Sequence, residues 1–145
     1  MALETTVEQV DDPTPVTVLA LDGELDASNF ADLVRQVQDL YAAGTRALVL
    51  DLGGLRFMAS SGLVALHSIV RVLRGEAPDD PDAGWQSLHD VGLDASGGAS
   101  QQLVQLAAVQ PGVQRVLDRT GLNRMFRSHP DRTSAIEAMT ADGPD

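Results

Sequence analysis

Two short apolar runs most constrain the fold: Val16-Thr-Val-Leu-Ala-Leu-Asp22 and Arg46-Ala-Leu-Val-Leu-Asp51. Neither alternates apolar with polar residues as a half-exposed strand would, so both read as strands buried on two faces of a sheet. Between them, Phe30, Leu33, Val34, Val37, Leu40 and Tyr41 recur at helical spacing and form one apolar stripe. Asp26 or Ser28 is the expected cap of that helix and Gly44 its stop. Strand, helix and strand in this order imply a parallel pair with a crossover.

The rest of the chain extends the pattern. Residues 3–10 read as a weak strand, closed by a turn at Asp11-Asp12-Pro13. A second helix is expected over about 61–74, with Leu63, Leu66, Val70 and Leu73 on one side. Residues 102–109 make another buried strand, after which Pro111 suits the first turn of a helix that Gly121 ends. Met125-Phe126-Arg127 is the expected last strand, and a final helix runs from near Asp131 through Ile136 to about Met139. The expectation is a single α/β domain over residues 3–140, its mixed, mostly parallel sheet of about four to five strands packed with about four helices.

One segment breaks the pattern. Residues 75–100 hold six acids, five glycines, two prolines and no base. Too little apolar surface is present there to offset the entropy of ordering it, so a long, flexible, acidic surface insertion is expected. Trp85, Leu88, Val91 and Leu93 are its exception and suit a short docking helical turn.

Composition excludes several function classes. The formal net charge of -11 disfavours binding to nucleic acid. The chain has no cysteine, so disulfides, thiolate metal sites and cysteine nucleophiles are out. All ten basic residues are arginines, which removes lysine chemistry and the phosphate loop ending in Gly-Lys-Ser/Thr. No apolar run approaches the roughly 20 residues of a membrane helix, and the start MALETTVEQVDD is not a signal peptide. A soluble, cytoplasmic protein without membrane attachment is the expectation.

His67, His89 and His129 lack ligand spacing, and Asp79, Asp80 and Asp82 lack the order of a calcium loop; neither metal nor cofactor is expected. Met58-Ala59-Ser60-Ser61-Gly62 lacks the first glycine of a hydrolase elbow, so no enzyme is expected. The informative segment is the expected loop Asp51-Leu-Gly-Gly-Leu-Arg-Phe-Met-Ala-Ser60-Ser61-Gly62-Leu63 between the third strand and the second helix. Serines at a helix start either cap it or, if phosphorylated, hold the phosphate in the positive end of the helix dipole. Residue types alone leave both readings open.

The run Asp51–Leu66, DLGGLRFMASSGLVAL, resembles the signature of STAS domains of the anti-sigma factor antagonist family. Gly23-Glu24-Leu25-Asp26 and Val113-Gln-Arg-Val-Leu-Asp-Arg-Thr-Gly121-Leu122 are similar to two further family segments. The resemblance spans roughly residues 3–74 and 101–140. It implies a protein that binds a serine-kinase anti-sigma factor and so releases a sigma factor, as a monomer or weak homodimer. It implies further that the kinase phosphorylates Ser60, with Ser61 the second choice, and that a phosphoserine phosphatase reverses the step. Asp26, Ala59, Ser60, Ser61, Gly62 and Leu63 would then form the partner-binding surface. Ala59 departs from the family, where aspartate often precedes the acceptor. The alternative is a STAS scaffold or accessory subunit of a stress-signalling or ABC-type lipid transport complex, with no phosphorylation switch.

Overall fold

The computed structural model describes residues 3–10, 15–75, 104–121 and 126–141. The two apolar runs form neighbouring parallel strands, β2 (Val16–Leu25) and β3 (Leu48–Met58), in register from Thr17 opposite Leu48. Helix α1 (Phe30–Ala42) crosses between them and α2 (Ser60–Leu73) follows β3. The edge strand β1 (Leu3–Val10) pairs antiparallel with β2. Beyond β3 come β4 (Val104–Ala107), α3 (Pro111–Thr120), β5 (Ser128–His129) and α4 (Arg132–Ala141). The sheet order is β1-β2-β3-β4-β5, and every pair except β1–β2 is parallel. The mixed, mostly parallel sheet with four helices among the described residues is the architecture the periodicity implied.

Each face of the sheet carries its own core. On one face Leu19, Leu21, Leu25, Leu50, Leu52 and Leu55 pack with Leu33 and Val37 of α1, Leu66 and Ile69 of α2, and Val113 and Leu117 of α3. On the other, Val16, Val18, Val49 and Ala107 meet Ala135, with Ile136 against them, from α4. Strands covered on both sides have no use for alternating polarity, which is why β2 and β3 begin as continuous apolar runs.

The structure corrects several boundaries. β2 runs on to Leu25 and β3 to Met58, so most of the expected loop from Asp51 is strand. Register shifts between Ala20 and Asp22 and between Gly23 and Glu24 let the ladder continue past these poor strand formers. The strand expected over residues 102–109 is ordered as β4 over Val104–Ala107. The last strand is Ser128–His129, after Met125-Phe126-Arg127 rather than in it; Phe126 instead enters the core at 3% exposure. Helix α2 is not apolar on one side only: from Ala65 to Val70, His67 and Ser68 included, every residue is at most 2% exposed. A helix apolar at nearly every angle suits burial all round better than a single stripe. Met125, and residues 75–100 after Gly75 with Trp85, Leu88, Val91 and Leu93, lie outside the described residues.

A polar staple ties α4 to the sheet. Arg132 Nε and Nη2 donate to Asp51 Oδ2 at 3.1 and 2.9 Å, while Nη1 donates to Glu8 on β1. The Asp51 side chain is only 17% exposed, so removing its cation leaves a largely desolvated carboxylate. Arg132→Ala is therefore expected to cost about 1–2 kcal/mol, discounted for the third of Arg132 that faces water. Equilibrium urea unfolding measures this, and a change below about 0.3 kcal/mol would contradict it.

Candidate functional site

The expected site residues gather where β2 and β3 end together. Leu25 and Met58 are register partners, and the Ala59 amide donates to the Leu25 carbonyl at 2.9 Å. That bond holds the loop after β2, which carries Asp26, against the turn into α2. Ala59 is the N-cap residue, extended at φ -79° and ψ 174°, and its methyl cannot accept from the helix amides. Ser60 and Ser61 are therefore the first two helical residues and neither is the cap. The backbone amides of a first turn lie beyond intrahelical partners and form the positive end of the helix dipole.

The turn is built tightly from below. Gly62 donates its amide to the Ala59 carbonyl at 2.9 Å. A Cβ at Gly62 would lie 2.3 Å from Met58 Cγ, 3.1 Å from its sulfur and 3.2 Å from Leu25 Cδ2. Leu63, at 4% exposure, belongs to the core beneath. Gly62 and Leu63 thus support the turn, while Asp26 and Ala59 are partly exposed beside it.

Asp26 does not cap α1 in the expected way, and neither does Ser28. The cap residue is Asn29, and its amide side chain is used elsewhere: Oδ1 accepts from the Asp26 amide at 3.0 Å and Nδ2 donates to the Glu24 carbonyl at 2.9 Å. The Asp26 carboxylate instead folds over its own loop. Its Oδ1 accepts from the Ser28 hydroxyl at 2.5 Å and from the Ser28 amide at 2.9 Å. These two bonds, the hydroxyl first, hold the Asp26 carboxyl below its ordinary range. A depressed carboxyl stabilises the fold above its unfolded value, and the contribution is lost as pH falls through the folded value. Ser28→Ala is thus expected to raise the Asp26 pKa toward the ordinary aspartate range. Carboxyl-carbon NMR titration reads this directly, and an unmoved midpoint would count against the loop geometry.

Sequence reasoning missed Phe57. It is 52% exposed, although both flanking positions of its motif, Leu55 and Met58, are buried. An extra β3 residue, Arg56, at the register shift between Gly23–Leu55 and Glu24–Phe57 makes the exposure unreadable by simple alternation. The only available signal was an aromatic beside a charged residue in a chain where aromatics make up 3%.

The other candidates are scattered. His67 is buried in α2 at 1% exposure, and His129 on β5 has Nε2 2.6 Å from Gln105 Oε1. His89, Asp79, Asp80 and Asp82 lie outside the described residues. Among the described residues no group of three or more His, Asp or Glu side chains could hold a metal, and no helix is long and apolar enough to cross a membrane.

Residues 8–77 match the STAS_2 family model, described as "Mlab, STAS domain". The fold is similar to that of an anti-sigma factor antagonist from Mycobacterium paratuberculosis, with a TM-score of 0.67 at 23% identity, covering 96% of this chain and 95% of that one. The phosphorylated form of the Bacillus cell fate determinant SpoIIAA gives 0.58 at 18% identity over 93% and 98% of the two chains. The STAS domain of a SulP transporter from Vibrio cholerae gives 0.52 at 18% identity over 88% and 80%. At these identities the likeness is one of fold. No curated protein matches the sequence.

Proposed function

We propose, from the match of residues 8–77 to the STAS domain family model, that the protein is an anti-sigma factor antagonist switched by phosphorylation at Ser60. The observation that supports this most is the joint between Leu25 and Ala59, which sets the Asp26 loop beside the start of α2. A kinase docked there meets Ser60 at the first helical position, beside a helix end that accommodates negative charge. The Ser60 hydroxyl attacks the terminal phosphorus of ATP, ADP leaves, and the hydroxyl proton passes to the kinase's base. The phosphoserine then carries a charge near -2 against a nucleotide-bearing partner, and the like charges separate the two. A phosphatase restores the hydroxyl by hydrolysis. Ser61 is the second candidate acceptor, and Gly62 and Leu63 hold the turn that presents either.

In this reading residues 3–140 form one STAS domain interrupted by an acidic insertion over 75–100. It binds partners and catalyses nothing, and its partners require a cytoplasmic location. Purified serine-kinase anti-sigma factors of the same genome, supplied with ATP, test it. One phosphoryl group is expected on the unaltered protein and on Ser61→Ala, and none on Ser60→Ala. Loss of transfer in Ser61→Ala alone would move the acceptor, and no transfer by any such kinase would overturn the reading.

Ala59 favours a second reading, because it removes the acid that often precedes the acceptor. The likeness to a transporter's STAS domain supports an unswitched scaffold or transport subunit in that case. Such a subunit co-purifies with an ATPase or with other STAS chains and carries no phosphate.

A further inference from the structure

Helix α4 packs on the face of the sheet opposite to α1, α2 and α3. Its contacts centre on Val16, Val18 and Val49, toward the amino ends of β2 and β3, and on Ala107, the last residue of β4. Among the described residues the same face is exposed toward the carboxyl ends, at Asp22, Arg56 and Phe57. Leu25 and Met58 point into the opposite core at 0% and 3% exposure, so strand alternation turns their neighbours Glu24 and Phe57 outward onto this side. Glu24 and Phe57 are register partners, and Glu4 on β1 is the register partner of Asp22. The Asp22 and Arg56 side chains are 67% and 70% exposed, with Arg56 Nη1 3.9 Å from Asp22 Oδ1.

This part of the face therefore carries a half-exposed phenyl opposite Glu24, with Asp22 two residues earlier on β2, Glu4 across from Asp22 on β1, and the cation Arg56 preceding Phe57 on β3. An exposed aromatic is the side-chain type that most often dominates a protein interface once it is desolvated in a pocket. The surrounding acids select the sign of the partner. The patch lies close to the switch along the chain, since Phe57 and Ser60 are separated by Met58 and Ala59 alone.

We propose that Phe57, which shares the carboxyl-end part of the α4 face with its register partner Glu24 and, further across, with Asp22 and Glu4, is the anchor for a basic protein surface carrying an apolar socket. This deepens the functional reading above and rests on it: the protein that acts on Ser60 is held here, by contacts that do not involve the serine. Anchor and switch are then separable. Phe57→Ser is expected to weaken binding about tenfold to a hundredfold. The Asp22→Asn, Glu24→Gln double variant is expected to lose about tenfold at low salt, with the loss shrinking as salt screens the pair. Asp118→Asn, which removes an exposed carboxylate from α3 on the other face of the sheet, is expected to bind like the unaltered protein.

The test uses the full-length chain, the three variants and the purified serine-kinase anti-sigma factors of the same genome, with affinity measured by calorimetry at two salt concentrations. Because Phe57 is exposed, its variant should melt with the unaltered protein, which separates a lost contact from a lost fold. Binding that Phe57→Ser leaves unchanged overturns the anchor and leaves the switch standing. If no such kinase binds the unaltered protein, the functional reading fails, and a random-peptide phage selection on the same chain decides the anchor by itself. Enriched peptides are expected to pair an apolar residue with arginine or lysine and to lose binding to Phe57→Ser. Peptides indifferent to that variant overturn the proposal.

Discussion

Ser60→Asp is expected to bind the proposed kinase partner about tenfold to a few hundredfold more weakly than the unaltered protein, while melting within a few degrees of it. The two halves of this expectation have different physical sources. Ser60 opens α2, and a carboxylate at a helix start gains about 0.3–1 kcal/mol from the dipole, so the free domain tolerates the charge. In the proposed complex the same charge would lose its water and face a nucleotide-bearing partner. Losing one charge-assisted contact at roughly 1.5–3 kcal/mol corresponds to that range of affinity. Aspartate carries one negative charge where phosphoserine approaches two, so the phosphorylated protein itself should bind more weakly still. Isothermal titration with the kinase measures the first half and a thermal melt the second. Equal affinity, or a collapsed melt, would contradict the switch.

Gly62→Val is expected to destabilise the domain by about 1–3 kcal/mol, lowering its melting temperature by several degrees. Two effects oppose each other. Replacing a helical glycine gains up to about 0.5 kcal/mol of helix propensity with a β-branched residue. The new Cβ, however, would sit 2.3 Å from Met58 Cγ, and Met58 is itself 3% exposed and backed by Leu25. Overpacking of a closed core costs about 1–3 kcal/mol, so the clash wins. The displaced Met58 also adjoins Ala59, whose bond to Leu25 locks the two loops. Thermal denaturation checks the stability, and an unchanged or raised melting temperature would show that the turn is looser than its geometry implies.

Much of the fold was legible because buried parallel strands and an amphipathic helix are local patterns. Val16–Asp22 and Arg46–Asp51 announced the centre of the sheet, and Phe30 to Tyr41 announced α1. Strand ends were not legible. Gly23, Glu24, Gly53, Gly54 and Arg56 are poor strand formers, yet a neighbouring strand and two register shifts carry the ladder through them. Helix caps were misassigned for a related reason: Asp26 satisfies Ser28 and leaves the cap position to Asn29. The Arg132, Asp51 and Glu8 cluster joins residues far apart in the chain, and no local pattern signals it.

The site divides in the same way. The position of Ser60 at the start of a helix followed from the apolar run after it, while its role as acceptor rested on the family motif. Residue types alone also allowed Ser60 or Ser61 to cap the helix, and the backbone gives that place to Ala59. Phe57 escaped because the register shift at Arg56 reverses the alternation that its buried neighbours would suggest.

Intact-mass measurement of the protein taken from its native host, followed by fragment mapping, tests the switch most directly. One phosphate on Ser60, present under some growth conditions and absent under others, is the expected result. A protein that carries no phosphate on Ser60 under any condition would contradict it and leave an unswitched scaffold or transport subunit.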